Sequence, residues 1–159
     1  MWSDINNQDY KEELEKVKNG ESPNKISSIL QYSCGAKFLW LGDIETNFLE
    51  KVKDEIEFEE VDVFFAPHHG RDSGTVPKKI LKVLNPQIIV IGEADSEDLN
   101  YYSGYNTITQ NSAGDITIEC VGGKVHIYVG KSNYSVDYLN DENKATYSNY
   151  IGSFDARDK

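Results

Sequence analysis

Two short motifs carry the chemistry this sequence could do. Gly42-Asp43 follows the apolar run Phe38-Leu39-Trp40-Leu41, and His68-His69-Gly70 follows Val63-Phe64-Phe65-Ala66-Pro67. Both sit where strands end, and in layered α/β folds sites gather at the C-terminal ends of strands. A carboxylate and an imidazole brought to adjacent strand ends could bind a hard-to-borderline metal such as zinc. The glycine beside each lets the backbone turn sharply and leaves room for a ligand. Taken singly, each has a plainer reading. Asp43 alone suits a turn or a helix N-cap, and His126 alternates with apolar neighbours like an ordinary strand histidine. Asp95–Asp98 reads as a solvated loop, and Glu57, Glu59 and Glu60 as the polar end of a helix.

The elements that would position these residues follow from periodicity. Residues 8–19 place Tyr10, Leu14 and Val17 on one stripe of a 3.6-residue period, with acids early and lysines late, as the helix dipole favours. The spacing then predicts strands over 26–33 and 37–41, joined through Ser33-Cys34-Gly35-Ala36. A helix over 46–58 buries Phe48, Leu49, Val52 and Ile56, and a strand over 61–66 follows. Thr75 is placed to cap a further helix with Pro77 in its first turn, and Val76, Ile80, Leu81 and Leu84 form its apolar face. Asn85-Pro86 ends that helix before a fully apolar strand over 87–92. Strand, helix, strand, helix, strand argues for an α/β sheet covered by helices. A polar loop over 93–104 precedes three short strands, 105–110, 115–121 and 124–129, the last two joined by a Gly122-Gly123 hairpin turn. From Gly130 the tail is polar and tyrosine-rich with no clean period. It reads either as an extension packed by its tyrosines or as partly disordered.

Composition bounds the function. The chain has 159 residues, room for one domain with one core. Its formal charge of -11 disfavours gripping nucleic acid through phosphate contacts over the whole surface. Nucleic acid is therefore expected only as a substrate at a local site. No apolar stretch approaches a membrane span and no signal pattern opens the chain, so a cytoplasmic protein without a membrane partner is expected. Cys34 and Cys120 form no CxxC and read as buried free thiols, with a disulfide or a reactive thiol as the lesser alternative.

In combination the motifs are far more specific than apart. Asn24-x-x-Ser27-Ser28-Ile29-Leu30 leads into Lys37–Asp43, then Val61–Gly70, then Asn85–Ile91, then Thr109-x-x-x-x-Gly114-Asp115-Ile116-Thr117-Ile118. This order resembles the C-terminal half of the metallo-β-lactamase superfamily, in particular the hydrolase-like domain of the DNA-uptake competence proteins. The resemblance covers residues 24–128. It divides the chain into a helical lead-in (1–23), a metallo-β-lactamase-like C-terminal half (24–129) and a polar tail (130–159). The resemblance implies half of an αββα sandwich, a mixed sheet with flanking helices. It also implies hydrolysis of phosphodiesters or related esters, with zinc or another divalent metal, two ions in the complete site. Asp43 matches the family's bridging aspartate. His68 best matches the histidine that completes the second metal site, with His69 its near rival. Asp43, His68 and His69 are thus the implied catalytic residues, and Arg71 and Ser73 the groups that could orient a substrate phosphate.

The departures matter equally. The family's other ligands come from an N-terminal half with a His-x-His-x-Asp-His motif, and the three histidines of this chain all follow residue 67. Arg71 stands where serine often follows His-His-Gly. A catalytic zinc generally takes three protein ligands, so this chain alone is expected to bind metal weakly or not at all. A half-fold is also expected to expose an apolar sheet face unless something covers it. Two functions compete. In one, the chain is half of a metallo-hydrolase completed by a separate N-terminal half or partner protein. In the other, it is a catalytically inactive binding or regulatory module, whose tyrosine-rich tail suits a protein partner or self-association.

Overall fold

A computed structural model describes residues 4–144 and 149–157. Three short apolar runs decide the architecture. In β2 (Lys37–Trp40), β3 (Val63–Phe65) and β4 (Ile88–Ile91), successive side chains point to opposite faces, and both faces are apolar. Leu39, Phe64, Ile89 and Ile91 join one buried cluster, while Phe38, Val63, Ile88 and Val90 join another. A strand apolar on both sides must be covered on both sides.

These strands form the parallel centre of a five-stranded sheet, ordered β1-β2-β3-β4-β5. β1 (Leu30–Ser33) pairs antiparallel with β2, and β5 (Thr107–Thr109) pairs parallel with β4, so the sheet is mixed. The fold class is α/β. α2 (Thr46–Val52) and α3 (Lys78–Leu84) connect the parallel strands and bury Phe48, Leu49, Ile80, Leu81 and Leu84 against one face. α1 (Gln8–Lys18) packs its Tyr10 into the same cluster, and its Asp9 pairs with Lys51 of α2 at 2.5 Å. Among the described residues no helix is long and apolar enough to cross a membrane.

The opposite face is covered by a second, antiparallel sheet of β6 (Ile116–Val121), β7 (Lys124–Val129) and β8 (Tyr150–Asp155). A four-residue helix, α4 (Gln110–Ala113), links β5 to β6. The tail thus supplies a strand that its sequence did not announce. Phe154 is buried in the second cluster, Tyr134 and Tyr138 pack against it, and the Tyr138 hydroxyl donates to the Thr107 carbonyl at 2.7 Å. Arg157 fastens the end, donating to the carbonyls of Val61 (2.7 Å) and Asn85 (2.6 Å). Most of the apolar face expected to lie bare is therefore covered by the chain itself.

Three local expectations need correction. The helix expected over 46–58 ends at Val52 and continues as a single 3-10 turn, Lys53–Glu55. Carboxylates at 54, 55, 57, 59 and 60 oppose the negative end of a helix dipole, so Glu57, Glu59 and Glu60 lie beyond it. Thr75 does not cap α3. Its hydroxyl accepts from Asn100 at 3.2 Å, and the helix starts after Pro77 with no side-chain cap. The thiols are not both buried: Cys34 is exposed and Cys120 half-buried.

Candidate functional site

Strands β2 and β3 are parallel neighbours, with Trp40 opposite Phe65, so both end at the same rim. Gly42-Asp43 and Pro67-His68-His69-Gly70 begin there. The two loops are tied directly, because the His68 N–H donates to the Gly42 carbonyl at 2.9 Å. The Asp43 N–H donates to the Ser27 hydroxyl at 3.0 Å, which sets the direction in which the aspartate leaves the strand. The sequence thus brings the acid and the histidine pair to one edge of the sheet.

The two histidines then part. His68 lies against Asn24 and Ser73: its Nε2 is 3.5 Å from Asn24 Nδ2, and its Nδ1 is 2.9 Å from Ser73 Oγ. The Ser73 hydroxyl is therefore occupied with the His68 ring, and Thr46 Oγ1 donates to the Ser73 carbonyl at 3.0 Å. His69 instead lines a cleft of about 220 Å³ with Asp43, Gly42, Gly92 and Gln110, over an apolar floor that includes Trp40 and Phe65. In that floor the rings of Trp40 and Phe65 stack, their centroids 4.3 Å apart. Among the described residues neither the Asp43 carboxylate nor the His69 ring has a side-chain hydrogen-bond partner. Arg71 is exposed beside the pair, its N–H donating to the His68 carbonyl at 3.0 Å.

Close approach explains the glycines around this loop. A Cβ on Gly92 would lie 2.8 Å from His69 Nδ1, and one on Gly74 would lie 2.8 Å from His68 Cβ. Each histidine packs over a glycine because no other residue leaves it room. Sequence reasoning did not find Gln110 or Gly92. Gln110 falls within the quoted run that starts at Thr109, but nothing in its type signals that α4 turns it towards the cleft. Asn24 and Ser27 were quoted in the resemblance without roles, and here they touch His68 and Asp43.

The donors present do not make a complete metal centre. A catalytic zinc takes three protein ligands and an open position. The cleft offers Asp43 and His69, and among the described residues no group of three or more His, Cys, Asp and Glu comes together. What the cleft can do unaided is narrower. It presents one carboxylate, one imidazole and an amide, on an aromatic floor. No protein-family model, no curated protein and no solved structure matches the chain.

Proposed function

We propose that this chain is the C-terminal half of a hydrolase acting on phosphodiesters or related esters, with the rest of the site supplied by a separate N-terminal half. The observation that carries the reading is the pairing in one cleft of two polar groups, Asp43 and His69, that no described side chain engages. A half-buried carboxylate with no internal partner suits an external ligand, because burial without compensation is costly. His69 would hold or move a proton at the reacting oxygen, and Arg71 at the rim would meet the phosphate charge. His68, clasped by Ser73 and Asn24, would hold the loop in shape, or act as a ligand after turning away from Ser73. The reading places the chain in the cytosol.

The test is reconstitution. The chain alone is expected to leave bis-p-nitrophenyl phosphate intact. Mixed with a polypeptide carrying a His-x-His-x-Asp-His segment, encoded beside it, it should hydrolyse that ester. Asp43→Ala in the mixture should cut the rate roughly 100-fold or more. A mixture that is inactive, or indifferent to Asp43→Ala, overturns the proposal.

A further inference from the structure

The two cysteines are 86 positions apart in sequence and meet across the gap between the two sheets. On β1 the side chains of Leu30 and Tyr32 face the second sheet, being paired with Trp40 and Phe38 of β2. Cys34 continues that row two residues on, at the turn into β2. On β6 the inward row is Ile116, Ile118 and Cys120. The two rows form the walls of an apolar groove of about 360 Å³, lined by Tyr32, Cys34, Phe38, Trp40, Ile118 and Cys120 among others. The thiols thus share one cavity, and they also sense each other. The Cys120 thiol is pushed up to about 12, first by burial and then by the neighbouring Cys34 thiol.

We propose that Cys34 and Cys120 form a reversible intramolecular disulfide that staples the β1–β2 turn to β6 and closes this groove. Position divides the labour. Cys34 is exposed and receives the oxidant, while Cys120 is half-buried, sits on a regular strand and resolves. With a small-molecule disulfide such as oxidised glutathione, the Cys34 thiolate attacks one sulfur and expels one glutathione thiolate. Cys120 then attacks the Cys34 sulfur of the mixed disulfide, passing its proton to the thiolate that leaves. Two protein thiols are oxidised to one disulfide, and one external disulfide is reduced to two glutathione thiols. A thiol with a raised pKa is a poor nucleophile in dilute solution. Here it attacks a sulfur held in the same cavity, so proximity offsets its low thiolate fraction. The groove adjoins the cleft of Asp43, because Trp40, Phe65 and Ile116 line both. The inference stands whether or not the hydrolase reading does.

The experiment is titration of the full chain with oxidised glutathione, followed by intact-mass spectrometry, alkylation and peptide mapping. The expected product is a monomer lighter by about 2 Da, with no alkylatable thiol, a crosslink joining the Cys34 and Cys120 peptides, and full reversal by dithiothreitol. Cys120→Ala should stop at the mixed disulfide on Cys34, heavier by one glutathione, and Cys34→Ser should resist oxidation. The proposal is overturned if the wild-type chain stops at the mixed disulfide. It is equally overturned by a Cys34-linked dimer, or by two thiols that remain alkylatable under conditions that oxidise free glutathione.

Discussion

His68 and His69 hold φ angles of 51° and 59°, a left-handed pair with no glycine in it. Each such residue costs roughly 1–3 kcal/mol and persists only where its surroundings impose it. Here the surroundings are specific: the Gly42 carbonyl takes the His68 N–H, Ser73 takes its ring, and Gly92 leaves space for His69. Gly92→Ala would drive a methyl to 2.8 Å from His69 Nδ1 and 3.0 Å from its Cα. We expect a loss of about 1–3 kcal/mol in urea unfolding. An unchanged midpoint would mean that the loop yields freely and that the close approach constrains nothing.

The third histidine behaves differently. His126 is buried on β7, and its Nδ1 lies 3.2 Å from the Tyr150 hydroxyl. Burial, followed by the charge of Lys144, holds its pKa below the ordinary 6.5. A base with a depressed folded pKa is protonated more readily in the unfolded chain, so ν_U exceeds ν_N as pH falls through 6.5. Stability is then full above that value and declines below it, towards the folded pKa. Urea midpoints measured between pH 7 and pH 5.5 should fall for the natural chain. His126→Gln should flatten the part of that slope due to this residue, and an equal fall in the variant would rule the assignment out.

At the scale of elements, legibility follows burial. β2, β3 and β4 could be read from sequence because both of their faces are apolar, and the strand–helix alternation around them had one natural solution. The loops after β2 and β3 followed, since Asp43 and the histidine pair lie at their ends. β8 could not be read that way. It carries Gly152 and Ser153 in its middle, and its place comes from pairing with β7 and from Phe154 entering a core built elsewhere. Gln110 was hidden for the same reason, because the walls of a cleft are set by which elements become neighbours. The tail's role can be tested by truncation. A chain ending at Asn149 loses β8 and the Arg157 anchors, and uncovers Val125 and Ile127. We expect it to lose its cooperative thermal transition and to bind an apolar dye. A sharp transition within about 2 °C of the full chain would show that the second sheet stands without it.

On the scale of the whole molecule, two cores share one central sheet, and the two cavities meet along β6. Ile116 reaches the cleft that holds Asp43, and Cys120, about 13 Å further along the strand, reaches the groove that holds Cys34. The sequence allowed an exposed apolar face, and the three-stranded sheet reduces that face to this groove. The same sheet has a second consequence. Among the described residues β6 pairs with β7 alone, so its outer margin is a sheet edge open to a further strand. At neutral pH the net charge of -11 holds neighbouring copies apart. Near the isoelectric pH of about 4.6 that repulsion vanishes, and this bare selvedge is where molecules would begin to stitch together and precipitate.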